Sequence, residues 1–531
     1  MNSIQAQTAN RILRLLKRAD VTHVGLAPGS RSTPLVTALT QHWDPSRITV
    51  HFDERGLGFW GLGVGKASGH PAIIIVTSGT AVANLLPSAI EAFYSNVPII
   101  FLTADRPSDL VGVGANQAIR QHDVLSNYCR FSVDLHPPTD EIQASYWLQR
   151  VNEGLGVLKS GAPGPIHFNV RFREPLWDAQ VTIDSALPLP GGWSLPSGTP
   201  SVVPPIVAGS VIVGEYGSTE QLPDVILDST VPIWVDMLSG TISHESRFFT
   251  DAEWHTSPIN LPDPLVILGG KIHSKVLNQS IQHHVGTVVQ LTSYPYIQDP
   301  NHRVDCQMVG PLHHLAGALT PNATDYNYSI RRPSIGSQWS ELSAMAAIVP
   351  YLNENWSVFI GNSLAIRCLD WLRPILSNRF IAQFNRGASG IDGLIATTHG
   401  IAQSSAAPTI AIIGDLSALH DLNSLAFGAY EAADHPLIIV VLNNRGGGLF
   451  TQLPIVTHPN FEPYFRTPHS FNFEFPARQF NYQYHHIDSL DEARSRIPAI
   501  LSQSGRHLIE LVVEPDAIGD HLSIIRSKWG Y

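Results

Sequence analysis

Thr409-Ile410-Ala411-Ile412-Ile413-Gly414-Asp415-Leu416-Ser417 and, after a spacer, Leu437-Ile438-Ile439-Val440-Val441-Leu442-Asn443-Asn444-Arg445-Gly446 decide the fold. Each half is a short, unbroken apolar run rich in branched residues and closed by turn-forming Gly, Asp or Asn. Each therefore predicts a strand buried on both faces. A helix-sized stretch near 422–432 separates them, and buried strands alternating with helical lengths mean βαβ units and a parallel sheet. Neighbouring parallel strands carry their carboxyl ends to one edge, where ligands of open α/β sheets bind. Asp415 and Asn444 then stand at adjacent strand tips. Their carboxylate and amide oxygens, with the carbonyl of Gly446, are hard donors suited to Mg²⁺, which keeps further positions for water and phosphate oxygens. A helix starting after Ser417 would aim free N–H groups at the same place and favour a diphosphate. The plainer reading is that Asp and Asn serve there as ordinary turn residues.

The same rhythm recurs along the chain. Apolar runs at 73–76 and 98–102 enclose a helical stretch at 81–94, and further strand-like runs fall at 210–213, 233–235, 265–268 and 287–291. A Pro-rich passage at 186–205 and a less distinct one at 326–337 divide the chain. The expected organisation is α/β, with three doubly wound domains of mainly parallel sheet over 1–180, 181–335 and 336–531. A chain of 531 residues exceeds what a single hydrophobic core supports.

Bulk properties narrow the partners. Lys and Arg number 33 against 44 Asp and Glu, a net charge of −11 that argues against nucleic acid. Three widely spaced cysteines (Cys129, Cys306, Cys368) form neither a metal pair nor a disulfide framework. Residues 1–20 lack the apolar block of a signal peptide, and no apolar run reaches the ~20 residues of a membrane span. A cytoplasmic protein without a transmembrane segment is expected.

Gly414-Asp415-Leu416, a spacer of 26 residues (417–442) after it, and Asn443-Asn444 together resemble the thiamine-diphosphate fingerprint, with Leu416 standing where the general pattern has Gly. The resemblance implies thiamine diphosphate held through Mg²⁺, with Mn²⁺ able to substitute, by Asp415, Asn444 and Gly446. It points to a second element, a glutamate that hydrogen-bonds a ring nitrogen of the aminopyrimidine and promotes the cofactor's nucleophilic form. Glu54 stands in that context: His51-Phe52-Asp53-Glu54-Arg55 follows a strand-like run at 48–50 and precedes a Gly-rich helix at 56–69, with Thr77-Ser78-Gly79-Thr80-Ala81 downstream. The competing reading is a surface carboxylate capping a helix start. In such enzymes the glutamate and the metal ligands come from different subunits, which implies a homodimer or homotetramer.

Arginines in loops after strands give the substrate class. They are Arg31 in Pro28-Gly29-Ser30-Arg31-Ser32, Arg106 in Thr103-Ala104-Asp105-Arg106-Pro107, Arg367 in Asn362-Ser363-Leu364-Ala365-Ile366-Arg367, and Arg386 in Asn385-Arg386-Gly387-Ala388-Ser389-Gly390-Ile391-Asp392-Gly393. Singly, each is an ordinary salt-bridge residue. Jointly they suit substrates with several carboxylates, which Arg grips bidentately.

Together with Gly414-Asp415-Leu416-Ser417 and Gly114-Ala115-Asn116-Gln117-Ala118, these strings resemble the MenD family, the 2-succinyl-5-enolpyruvyl-6-hydroxy-3-cyclohexene-1-carboxylate synthases of menaquinone and phylloquinone biosynthesis. The resemblance covers roughly 28–120, 161–177 and 361–454. It implies decarboxylation of 2-oxoglutarate and 1,4-addition of the succinyl semialdehyde unit to isochorismate. By position, Ser30, Arg31, Arg106, Ser363, Arg367 and Arg386 would bind substrate, and Asn116 and Gln117 would lie beside Glu54 at the reacting centre. Ser389, Gly390, Ile391, Leu416, Ser417 and Phe450 would contact the cofactor. Ile391 would support its bent shape, and Leu453 would add an apolar wall. Lys275 is a weak candidate from the central stretch, and His485-His486 reads as structural. The rival readings are a pyruvate-type thiamine decarboxylase or acetohydroxyacid-synthase relative, a non-catalytic binding protein on the same scaffold, and a nicotinamide or flavin oxidoreductase. The last lacks a G-x-G-x-x-G after a strand.

Overall fold

The computed structural model describes residues 4–142, 144–159, 162–177, 205–216, 231–242, 248–322, 326, 328–428 and 435–528. They group into two compact units. The first is Met1–Ser197 with Asn385–Ser405 and His420–Ala429; the second is Gly198–Phe384, Ala406–Leu419 and Tyr430–Tyr531. The Pro-rich passage 186–205 lies, but for its last residue, outside the described residues.

The first unit holds a six-stranded sheet of β1 (Val24–Leu26), β2 (Ile48–Val50), β3 (Ala72–Val76), β4 (Ile99–Asp105), β5 (Phe131–Leu135) and β6 (Pro165–Arg171), in the order β2-β1-β3-β4-β6-β5. Every pairing is parallel. β3 and β4 are buried along their whole length, as unalternating apolar runs require. Cores form on both faces, one around Ile12, Leu35, Ile73 and Phe168, the other around Leu57, Trp60, Ile74 and Phe101. The helix Glu54–Ser68 packs closely on Leu394–Ser404 because glycine sits at the crossing on both sides. A Cβ at Gly63 would collide with the Thr397 carbonyl, and one at Gly400 with the Trp60 carbonyl.

Two expectations for this unit need correction. The single helix at 81–94 is two, Thr80–Ala83 and Leu86–Ser95. Pro87 in the first turn of the second lacks the N–H and the room that a continuous helix would need. In the stretch 422–432 the described residues are not α-helical either. They include a 3₁₀ turn, Leu422–Ala426, held where Asp421 accepts from Ser424 Oγ (2.8 Å) and Ala396 N (2.9 Å), and residues 429–434 lie outside the described residues.

The second unit holds two larger sheets. One joins β8 (Ser210–Val213), β9 (Ile233–Val235), β11 (Phe248–Phe249), β12 (Leu265–Leu268), β13 (Val288–Thr292) and β14 (Cys306–Val309) in the order β11-β9-β8-β12-β13-β14, all parallel. β7 (Ile206–Ala208) and β15 (Leu319–Pro321) form a separate parallel pair. The other has seven strands, in the order β10 (Thr241–Ile242), β17 (Phe380–Gln383), β16 (Ser357–Ile360), β18 (Thr409–Gly414), β19 (Leu437–Asn443), β21 (Arg506–Val512) and β20 (Gln483–Ile487). It is parallel throughout except where β10 meets β17. The fold is thus α/β with parallel sheets. Among the described residues no helix is long and apolar enough to cross a membrane.

Candidate active site

β18 and β19 are paired in register from Thr409↔Leu437 to Gly414↔Leu442, so Asp415 and Asn444 emerge at one edge. The Asp415 carboxylate is buried and well held. Its Oδ2 accepts from Gly446 N (2.9 Å) and faces His469 Nε2 (3.2 Å), while Oδ1 accepts from Leu416 N (2.6 Å). Phe471 N donates to His469 Nδ1 (3.2 Å), so a neutral His469 carries its proton on Nε2, toward Asp415. Oδ1 retains a lone pair for a cation.

The two neighbouring asparagines divide their work. Asn443 is tied down at both ends, donating to Glu510 Oε1 (2.6 Å) and accepting from Arg445 N (3.0 Å). Asn444 donates through Nδ2 to the buried Glu341 (2.7 Å to Oε1), and its Oδ1 is buried without a partner. An acceptor left so costs about 1–3 kcal/mol unless a ligand satisfies it. Gly446, at φ +142°, accepts from Gly448 N (3.0 Å) and keeps its second lone pair. Carboxylate, amide oxygen and carbonyl make a hard-oxygen set that fits Mg²⁺. The described residues contain no cluster of three or more His, Cys, Asp and Glu that could hold a metal, so this mixed set would be missed by a search for such side chains alone. The expected helix after Ser417 instead begins at Asp415 and ends at His420; Leu416 is half-buried and Ser417 buried within it.

In the first unit Glu54 opens the helix Glu54–Ser68, directly after β2. The helix cap is Asp53, whose carboxylate accepts from Arg55 N (3.0 Å) and Gly56 N (3.4 Å), so the capping task proposed as the alternative for Glu54 is already filled. Glu54 itself is half-buried, and burial, helped by the charge of Asp53, pushes its carboxyl above the usual carboxylate range.

The loops after β1, β3 and β4 meet at the same carboxyl edge. Gly29 packs so tightly on Thr77 that no Cβ fits. Gln117, at φ +54°, donates to Ser78 O (2.8 Å) and accepts on its own carbonyl from Ser78 Oγ (3.1 Å). Asn116 is exposed beside it. Ser30 is exposed, whereas Arg31 is only 2% exposed and binds Phe172 O (3.0 Å) and Glu174 (3.2 Å). Arg106 is half-buried with an unpartnered Nε. Its backbone is fixed by a buried network that the sequence did not disclose. Asp105 Oδ1 accepts from Arg106 N (2.7 Å), and Arg171 donates to Arg106 O (2.8 Å). Asn169 donates to Asp105 (2.9 Å) and Asp134 (2.8 Å) and accepts from Thr103 (2.9 Å) and Gln121 (2.8 Å). Gln121 in turn accepts from Gly79 N (2.9 Å).

Arg386 belongs to the first unit, half-buried in a loop that a second unforeseen residue anchors. Glu91, 2% exposed, accepts from Gly387 N (2.8 Å), Ala388 N (2.7 Å) and Ser95 Oγ (2.6 Å). Ser389 (φ +63°), Gly390 and Ile391 (41% exposed) follow. Phe59, Leu86, Ile90, Ala388 and Gly390 line a cavity of about 260 Å³ beside this loop. In the second unit Ser363, at φ +67°, precedes the helix Leu364–Leu372, and Arg367 donates to its carbonyl (2.7 Å). Phe450 is half-buried, edge-on to Phe465, and Leu453 is 42% exposed. Lys275 is an exposed helix-start residue, and His485 pairs with His507 (3.1 Å) inside the second unit.

A metal-fitting oxygen set after β18 and β19 and a half-buried glutamate with a raised carboxyl after β2 point to a thiamine-diphosphate enzyme. Residues 6–125 match the family model "Thiamine pyrophosphate enzyme, N-terminal TPP binding domain", and residues 372–511 match the corresponding C-terminal TPP binding domain. The chain is 33% identical to the 2-succinyl-5-enolpyruvyl-6-hydroxy-3-cyclohexene-1-carboxylate synthase of Psychromonas ingrahamii, over 100% of this chain and 97% of that protein. It is 34% identical to the synthase of that name from Shewanella baltica (strain OS155), over 97% and 96%. Against that of Actinobacillus pleuropneumoniae serotype 7 it is 33% identical, over 97% and 96%. The chain belongs to the 2-succinyl-5-enolpyruvyl-6-hydroxy-3-cyclohexene-1-carboxylate synthase family.

Proposed function

We propose that this enzyme decarboxylates 2-oxoglutarate and adds the resulting four-carbon unit to isochorismate, giving 2-succinyl-5-enolpyruvyl-6-hydroxy-3-cyclohexene-1-carboxylate for menaquinone or phylloquinone biosynthesis. The observation that carries the reading is the pairing of the Asp415–Asn444–Gly446 oxygen set, with its unsatisfied Asn444 Oδ1, and full-length likeness to synthases of that name. Thiamine diphosphate, when bound, supplies the nucleophilic carbon and the electron sink that decarboxylation needs. Asp415, Asn444 and Gly446 would hold its Mg²⁺. Glu54 would hydrogen-bond the cofactor's ring nitrogen, a task suited to a carboxyl raised by burial.

Arg31, Arg106, Arg367 and Arg386, with Ser30 and Ser363, receive the substrates' carboxylates. Asn116 and Gln117 orient the reacting groups; Ser389, Gly390, Ile391, Leu416, Ser417, Phe450 and Leu453 shape the cofactor's surroundings. Three domains, 1–180, 181–335 and 336–531, each contribute one large sheet. The enzyme works in the cytoplasm as a homodimer or homotetramer, each site drawing Glu54 from one subunit and Asp415 from its partner. Phe52 and Val50, 65% and 59% exposed next to Glu54, support such a covered face.

Two tests follow. With thiamine diphosphate and Mg²⁺, the protein should release CO₂ from 2-oxoglutarate and not from pyruvate; the reverse preference overturns the substrate assignment. Mixing inactive Glu54→Gln and Asp415→Ala chains should restore activity if subunits share sites. No recovery after proven subunit exchange overturns the shared site.

A further inference from the structure

Asn444 can serve a cation only if its oxygen, not its nitrogen, faces the metal, and an amide has no intrinsic preference between two such placements. Here the other end is specified. Glu341 is the first residue of the helix Glu341–Ala346 and is 1% exposed. The start of that helix is fixed, since Ser340 N donates to Ser343 Oγ (2.9 Å) and Ser340 Oγ meets His521 Nδ1 (2.6 Å). Glu341 Oε1 accepts from Asn444 Nδ2 at 2.7 Å. A carboxylate only accepts, so it selects the NH₂ end and turns Oδ1 away. That Oδ1 is buried with no partner, as is Glu341 Oε2. Gly448 completes the clamp: a Cβ there would collide with Asn444 Nδ2.

We propose that Glu341 is a positioning residue of the Mg²⁺ site, fixing the Asn444 amide so that Oδ1 faces the metal. The proposal rests on Asn444 being a ligand. Residues holding metal ligands in place typically carry 10–100-fold of metal affinity.

The test titrates MgCl₂ into the full-length protein at saturating thiamine diphosphate and reads binding heat, with melting of the cofactor-free protein as the folding control. Glu341→Leu should weaken Mg²⁺ binding by about 10–100-fold. Glu341→Gln, which can face Asn444 with either end of its amide, should fall between Leu and the parent. Asn444→Asp presents oxygen at both ends and needs no orienting partner, so adding it to either variant should restore affinity. Unchanged Mg²⁺ affinity in both single variants overturns the proposal, and so does failure of Asn444→Asp to restore it. If Glu341→Leu does not fold, the Gln variant with and without Asn444→Asp carries the comparison. Asn444→Leu separates the two levels: full Mg²⁺ affinity there overturns the ligand reading itself.

Discussion

Replacing Glu91 by Gln changes one acceptor oxygen into an NH₂ group at constant size, inside the first unit. In the parent, Oε1 serves Gly387 N and Ser95 Oγ and Oε2 serves Ala388 N, all within 2.6–2.8 Å. Gln can keep the two-donor side only by turning its NH₂ toward the Ala388 N–H. One charge-assisted hydrogen bond of about 1.5–3 kcal/mol is lost, and a donor is left facing a donor, for a further ~1–3 kcal/mol. The loop from Gly387 to Ile391 therefore loses about 2.5–6 kcal/mol of preference for its present conformation. Even if only ~2 kcal/mol reaches the transition state, kcat/KM falls roughly 30-fold. The assay pairs steady-state kinetics with hydrogen exchange over residues 386–392. The expected result is faster exchange confined to that loop together with the kinetic loss. Unaltered exchange and unaltered kcat/KM would refute the idea that the Glu91 carboxylate anchors it.

Glu54→Gln should bind thiamine diphosphate yet lose at least 100-fold in kcat, measured under saturating cofactor. Because burial raises the Glu54 carboxyl, its contribution to stability is present below the unfolded-state value and is lost as pH rises through the folded one. The variant should thus gain melting temperature relative to the parent at neutral pH, and the gain should shrink on acidification. Asn169→Leu removes four hydrogen bonds, three of them buried and two of them to carboxylates, and should cost about 4–8 kcal/mol in the stability of the first unit, read by denaturant unfolding with a local probe. Since Asn169 lowers the already raised Asp105 carboxyl, its loss should hurt more at neutral pH than in mild acid. Gly63→Leu should be worse tolerated than Val64→Leu, because the Gly63 position abuts the Thr397 carbonyl; comparable soluble yield and melting would contradict the close helix crossing.

The strands were legible because parallel strands buried on both faces leave continuous apolar runs, as at Ile73–Val76 and Leu437–Leu442. Helices were less so: Pro87 split one, and the stretch after Asp421 became a 3₁₀ turn where the Asp421 carboxylate accepts from Ser424 Oγ and from the distant Ala396 N–H. Asp415, Asn444 and Glu54 stood out because each follows the end of an apolar strand run, where a polar residue breaks the pattern. Their supports did not. Glu341, His469, Glu91 and Asn169 lie 103, 54, 296 and 64 residues from the groups they hold, and no local pattern marks such partners. Nor could spacing alone tell Asn443, satisfied by Glu510, from Asn444 with its open oxygen.

The most direct measurement is of the product. Purified protein with thiamine diphosphate and Mg²⁺ is given 2-oxoglutarate and isochorismate, together and singly, and followed by isochorismate absorbance and mass spectrometry. The account predicts that isochorismate is consumed only when 2-oxoglutarate is present, with one CO₂ released per product formed, and that Glu54→Gln abolishes it. Isochorismate left untouched by a folded, cofactor-loaded enzyme would contradict it.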